Sequence, residues 1–172
     1  MSDIVVIRPY KPGDEIGMVE ARLASIRTNA AKDYTPEQIV AWTSKVQPDD
    51  FVKARQKDGE HFWVLDDNGR IGGFASWLHG KIQAFYMHPD YTGRKHLGRY
   101  TSKLFKATEN DMLAQTHTDA CEIEGTLTAR KFYERMGFQV TGTGIHKMDD
   151  GTVTDVLRFR KDYSHEQIII GK

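Results

Sequence analysis

Just past residue 92 the chain gathers Gly93, Arg94, Lys95, His96, Leu97, Gly98 and Arg99, which is two glycines and three full cations in seven positions. An apolar run at 82–87 precedes this turn and reads as a strand. A helical pattern follows it, with Leu97, Tyr100, Leu104 and Ala107 spaced by 3, 4 and 3. A strand that empties through a basic, glycine-bearing turn into a helix start suits an anion. The first helical N–H groups have no partner within the helix, the dipole is positive at that end, and the side chains add full charges. The stretch is read as a pyrophosphate cradle, with a plain connection as the simpler alternative. Gly93 and Gly98 have P-loop spacing, but Arg99 and Tyr100 stand where that motif needs a lysine and a small hydroxyl for Mg²⁺. A P-loop is excluded.

Other chemistry is thinner. Seven histidines (61, 79, 88, 96, 117, 146 and 165) include no pair four apart, and the single cysteine, Cys121, lies in an apolar strand pattern. No metal site is expected. One cysteine also rules out an internal disulfide and fits a reducing cytoplasm. The 172 residues fit one domain with a real core. With 24 basic and 24 acidic residues, formal net charge is zero, so no overall field draws the chain to nucleic acid or an acidic membrane. The N-terminus opens directly into an apolar strand, and no apolar run approaches membrane-spanning length. A soluble cytoplasmic protein is expected, with no nucleic-acid or membrane partner and with a homodimer left open.

The elements that must carry the turn can be read in order. A short strand at 4–7 is closed by Arg8-Pro9, and a helix follows Asp14 with Ile16, Val19, Leu23 and Ile26 on its apolar side. A second helix starts at a capping box, Thr35 with Gln38, and has Pro36 at its first position. Its buried stripe is read as Ile39, Trp42 and Val46, with a substrate-pocket role as the alternative for Trp42. Residues 48–54 read as a short helical turn. Strands at 61–66 and 70–78 are joined by Asn68-Gly69, and Gly80 turns the chain into 82–87. The helix after the cradle runs to about residue 114. A strand at 120–124 places Cys121 and Ile123 on one face, and a helix over 126–136 is stopped by Gly137. Strands begin at Phe138 and Val153, around a turn at Asp149-Asp150-Gly151. The order β-α-α-β-β-β-α-β-α-β-β implies an α/β fold, a mixed sheet with helices on both faces. A single domain is assigned to 1–161 and a C-terminal tail to 162–172.

Two segments together resemble a known family. The first is Tyr86-Met87-His88-Pro89-Asp90-Tyr91, running into Gly93 and Leu97-Gly98. The second is Glu124-Gly125-Thr126-Leu127-Thr128-Ala129-Arg130-Lys131-Phe132-Tyr133-Glu134-Arg135-Met136-Gly137-Phe138. In order and spacing they are similar to the GNAT superfamily of acetyl-CoA-dependent N-acetyltransferases, and the element order agrees over about 3–160. The family loop usually reads Arg or Gln, Gly, any residue, Gly, any residue, Gly or Ala. Here Thr92 replaces the first residue and His96 the middle glycine, and one inserted residue reconciles the two ends. Loss of that glycine alters the loop where backbone must approach phosphate. Acetyl-CoA is still expected to bind.

The resemblance implies roles for particular positions. Phe85, Tyr86 and Met87 would offer backbone groups to the pantetheine arm as to an added strand. Residues 94–99 would take the pyrophosphate. Thr126 would hydrogen-bond the pantetheine, or simply cap a helix. Tyr133 falls at the family tyrosine beside the thioester sulfur, and a phenol that stays protonated at neutral pH can give its proton to a departing thiolate. The fourth strand offers Gln83 where the family often has an acid, so Glu124, with Glu122 as alternative, is the expected general base. A backbone N–H at or near Met87 would hold the oxyanion. The acceptor site would be shaped by the first two helices and the loop between them, about Arg22 to Trp42, and by the final hairpin; Asp33 and Glu37 could attract a cationic amine, and His79 could line that site. The expected activity is transfer of an acetyl group from acetyl-CoA to a primary amine; the alternative is a non-catalytic coenzyme A-binding regulatory module.

Overall fold

Apolar residues alternating through the middle of the chain, closed by two-residue turns at Asn68-Gly69 and His79-Gly80, fold it into consecutive antiparallel strands. The computed structural model describes residues 4–44, 48–93 and 98–170. Strands β1 (Val5–Pro9), β2 (His61–Asp67), β3 (Arg70–Leu78) and β4 (Lys81–Met87) form one sheet in that order. Strands β5 (Ala120–Gly125), β6 (Gln139–Lys147) and β7 (Val153–Asp162) form a second, ordered β5-β7-β6. Every observed pairing is antiparallel. The α/β class and element order hold, while the expected single mixed sheet is divided in two between β4 and β5. Pro9, expected to close β1, belongs to it. As the outermost strand, β1 has one edge that needs no N–H donor.

Helices α1 (Glu15–Thr28), α2 (Pro36–Thr43) and α3 (Pro48–Lys57) separate β1 from β2. Helix α4 (Arg99–Thr116) joins the two sheets, α5 (Arg130–Arg135) follows β5, and α6 (His165–Ile170) ends the described chain. Met18 of α1 and Val52 of α3 pack on one face of the first sheet with Phe62, Phe74 and Ala84. Leu104 of α4 packs on the other face with Leu65, Ala75 and Met87. Phe105, Met112, Cys121, Ile123, Tyr133, Phe138 and Phe159 form a third cluster under the second sheet. Phe74, Phe105 and Phe159 are fully buried, and burying a ring of that size is worth roughly 1.5–3 kcal/mol.

Helix faces depart from the sequence pattern in instructive ways. In α1, Ile16 is 63% exposed, and the buried residues include Met18, Ala21 and Arg22 beside Val19 and Ile26. Gly17 backs onto Ile71, where a Cβ would lie 2.8 Å away, so the helix is turned to that side. The capping box of α2 is present, but the helix buries no residue fully; Ile39 and Trp42 are half-buried and Val46 lies outside the described residues. The short turn expected at 48–54 is a ten-residue helix. The helix expected over 126–136 is split into a 3-10 turn, Leu127–Ala129, and α5. Within the segment set apart as a tail, Tyr163 is buried and donates to Glu109 Oε1 (2.8 Å), and Ile168 packs against the third cluster.

Candidate active site

The two sheets meet at β4. Its start lies beside β5, with Lys81 Nζ 3.4 Å from Glu122 Oε2, yet no ladder joins these strands among the described residues. A cavity of about 1340 Å³ lies between them, lined by β4, β5, α1 and the start of α4. Pockets for drug-sized ligands hold roughly 300–1,000 Å³, so this one has room for a long carrier and a second molecule.

Register makes one edge of β4 available to a ligand. The His88 N–H donates to the Gly72 carbonyl (2.9 Å), so the bonded pairs alternate onto Tyr86 and Phe74. Phe85 and Met87 therefore turn their N–H and C=O groups away from β3. The Met87 carbonyl shows it directly, accepting from Asn29 Nδ2 at 3.3 Å. Between Ser76 and Trp77 the register shifts and leaves Gln83 without a partner on β3, a bulge at the cavity wall.

Past β4, a 3-10 turn, Pro89–Tyr91, leads to Thr92 and Gly93, both in the cavity wall. Gly98 caps α4 with φ 68° and ψ 6°, a left-handed conformation that a side chain would strain. The cap supplies no side-chain acceptor, and the first turn of α4 holds no acid. Among the described residues no side chain caps the leading N–H groups of α4, and Thr101 and Ser102 add hydroxyls at the cavity. Arg94, Lys95, His96 and Leu97 lie outside the described residues. Arg99 is exposed and does not line the cavity.

Tyr133 reaches the cavity from α5 while remaining 4% exposed. Its ring is held by Phe105, Phe132, Phe138 and Phe159, with centroids 6.0, 5.4, 6.0 and 4.9 Å away. Gly125 permits this packing, because a Cβ there would stand 2.6 Å from Tyr133 Cε2. Among the described residues the phenol has no hydrogen-bond partner. Burial first, then the neighbouring Tyr86 and Cys121, push its pKa well above the ordinary tyrosine value. Thr126 has the backbone of a helix cap (φ −66°, ψ 157°) but makes no side-chain capping bond, which leaves its hydroxyl at the cavity. Glu124 lines the cavity too, exposed and paired with Arg158 (3.2 Å). Glu122 is exposed between Lys81 and Arg160.

The opposite wall comes from the first helices. Tyr34 clasps it to the second sheet, donating to the Asp155 carbonyl (2.7 Å) and accepting from the Leu127 N–H (3.4 Å). Trp42, read as core with a pocket role as alternative, lines the cavity edge-on to Tyr34 and 6.1 Å from His146. Asp33 accepts from the Thr128 hydroxyl and Glu37 is exposed on α2; neither lines the cavity, and neither does His79 in the β3–β4 turn. Arg22, Ser25 and Asn29 line it, within the stretch 22–42 expected to shape the acceptor site, though sequence reasoning singled out none of the three. One signal was there: Met18, Arg22 and Ile26 are spaced by four, a cation inside an apolar stripe. Among the described residues no three metal-ligating side chains gather, and no helix is long and apolar enough to cross a membrane.

Comparison with known proteins agrees with this geometry. An uncharacterized N-acetyltransferase of Escherichia coli, YafP, is 27% identical over 135 residues, covering 78% of this chain and 81% of that protein. The structure of a GCN5-related N-acetyltransferase from Rhodopseudomonas palustris superposes with a TM-score of 0.80 at 25% identity, covering 95% of this chain and 99% of that one. The PaiA N-acetyltransferase of Thermoplasma acidophilum, solved with coenzyme A, shares the fold with a TM-score of 0.70 at 19% identity, covering 93% and 99%. The acetyltransferase (GNAT) domain model matches residues 30–152. Spanning most of the chain, and both walls of the cleft between β4 and β5, that match places the protein in the GNAT family of acetyltransferases.

Proposed function

We propose that the protein is an N-acetyltransferase that passes an acetyl group from acetyl-CoA directly to a primary amine of a small molecule or protein. The observation that carries this reading is the unshared edge of β4, which runs alongside a buried phenol and precedes a helix start that no described side chain caps. When bound, acetyl-CoA supplies an activated acyl group and a thiol leaving group. Phe85 and Met87 offer it outward N–H and C=O groups. Gly93, Gly98 and the first N–H groups of α4 hold the pyrophosphate, with the cations of 94–99 adding charge. The Thr126 hydroxyl binds the pantetheine.

The chain's own groups then account for the proton movements. The Met87 N–H stabilises negative charge as it develops on the acetyl oxygen. Glu124, which lies 3.2 Å from Arg158, takes a proton from the amine directly or through a water. The Tyr133 phenol, held protonated by its burial, donates to the departing sulfur. Isothermal titration with acetyl-CoA and a thiol-release assay across an amine panel test this. Heat of binding and turnover are expected, and no heat at millimolar acetyl-CoA refutes it. The bulged Gln83, standing where an acid is often found, favours the second reading of a coenzyme A-binding regulatory module. Tight binding without turnover on any amine would select that reading.

A further inference from the structure

Arg22, Ser25 and Asn29 line the cavity from successive turns of α1 and the residue just after it, beside Tyr86 and Trp42. Arg22 is only 9% exposed; its Nη2 donates to the Trp42 carbonyl (3.2 Å), and its guanidinium lies 5.7 Å from the centre of the Tyr86 ring. Lys32 and Arg55 line the same wall, the latter held by Glu60 (2.6 Å). Among the described residues, no acid of α1, α2, α3 or their connections faces the cavity. The two acids on the far wall, Glu122 and Glu124, are met by Arg160 and Arg158.

This positive wall is not the one that meets the carrier's phosphates, because β4 divides the two. Phe85 and Met87 pack toward α4 with Leu104 and Tyr100. Ala84 and Tyr86 pack toward α1 and α3 with Met18 and Val52. The start of α4 belongs to the first side and the Arg22–Tyr86 pair to the second. Tyr86 is the neighbour of Met87, so Arg22 stands one residue along the strand from the amide assigned to the acetyl oxygen.

We propose that the acceptor is an amino acid, an amine that carries its own carboxylate, and that Arg22 binds this carboxylate. The inference rests on the acetyltransferase reading above. The planar guanidinium fork matches a carboxylate in two parallel hydrogen bonds. Ser25 and Asn29 continue the wall from Arg22 toward Met87, so an acceptor anchored at Arg22 extends its amine toward the reacting end of β4. Trp42 and Tyr86 flank it with aromatic surface. The same charges disfavour polyamines and other polycations.

The test uses the full chain, acetyl-CoA, and amines paired so that only the carboxylate differs: phenylalanine with phenethylamine, leucine with isoamylamine, lysine with cadaverine. The amino acid of at least one pair should show kcat/KM about 10- to 100-fold above its decarboxylated partner, mostly through KM. Arg22→Met should bring that ratio toward one, and Arg22→Lys should keep part of it. Circular dichroism and acetyl-CoA titration check each variant's fold and donor site. Should Arg22→Met fail to fold, titration of the wild type with N-acetylphenylalanine against N-acetylphenethylamine gives the same comparison, the first binding tighter. Equal or better use of the decarboxylated amines, or a ratio that Arg22→Met leaves unchanged, overturns the inference and leaves the acetyltransferase reading intact. Failure to bind acetyl-CoA at all removes both.

Discussion

Replacing Tyr133 by phenylalanine separates a packing role from a catalytic one. The substitution keeps the ring and its contacts with Phe105, Phe132, Phe138 and Phe159, and removes one oxygen. That oxygen has no hydrogen-bond partner among the described residues, so no bond is lost and stability should change by less than about 0.5 kcal/mol. For a chain of this size that is a melting shift below about 2 °C. The rate should respond very differently. A positioned general acid contributes about 10²–10⁴-fold, and the low end, 10²-fold, corresponds to about 2.7 kcal/mol of barrier. Acetyl-CoA affinity should hardly move. The measurements are kcat by thiol release at saturating substrates, acetyl-CoA affinity by calorimetry, and thermal melting by circular dichroism. An unchanged kcat in a variant that melts normally would show that Tyr133 only packs.

Three further outcomes follow from the same geometry. Gly125→Ala places a methyl 2.6 Å from Tyr133 and 3.2 Å from Phe159, an overpacking worth about 1–3 kcal/mol; melting and kcat should both fall, and a normal melting curve would mean that the ring yields freely. Glu124→Gln should lower kcat by about 10²-fold with little change in KM for acetyl-CoA, whereas an unaltered pH–rate profile would leave Glu124 as no more than the partner of Arg158. Burial pushes the Cys121 thiol up to about 11, with neighbouring Glu109 adding to the rise and the Ile82 backbone opposing it. The folded pKa lies above the unfolded one, so stability is full below about pH 8.5 and falls as pH rises toward 11, by up to about 1.4 kcal/mol per unit. Urea denaturation across that range should show the slope, and Cys121→Ala should flatten it; an equal slope in the variant would place the titration elsewhere.

Sequence alone determined what local chemistry determines. The capping box at Thr35, the hairpin at Asn68-Gly69, the strand before the basic turn and the helix after it all rest on rules that act within a few residues. The two segments carrying the resemblance are likewise continuous in sequence, which is why the family could be named from them. Helix faces were less legible. Whether Ile16 or Met18 is buried depends on Gly17 meeting Ile71, more than fifty positions away.

Tertiary structure decided the rest. It divided the sheet between β4 and β5, and so turned the free edge of β4 toward the cavity, a consequence of register that no residue type encodes. It tied Asp33 to Thr128 and left Glu37 in solvent, while bringing Arg22 from the middle of an apolar stripe to the cavity wall. A charge acts over ångströms of space and not over positions of sequence, so the charge lining that wall of the cavity was settled only when α1 was laid against β4.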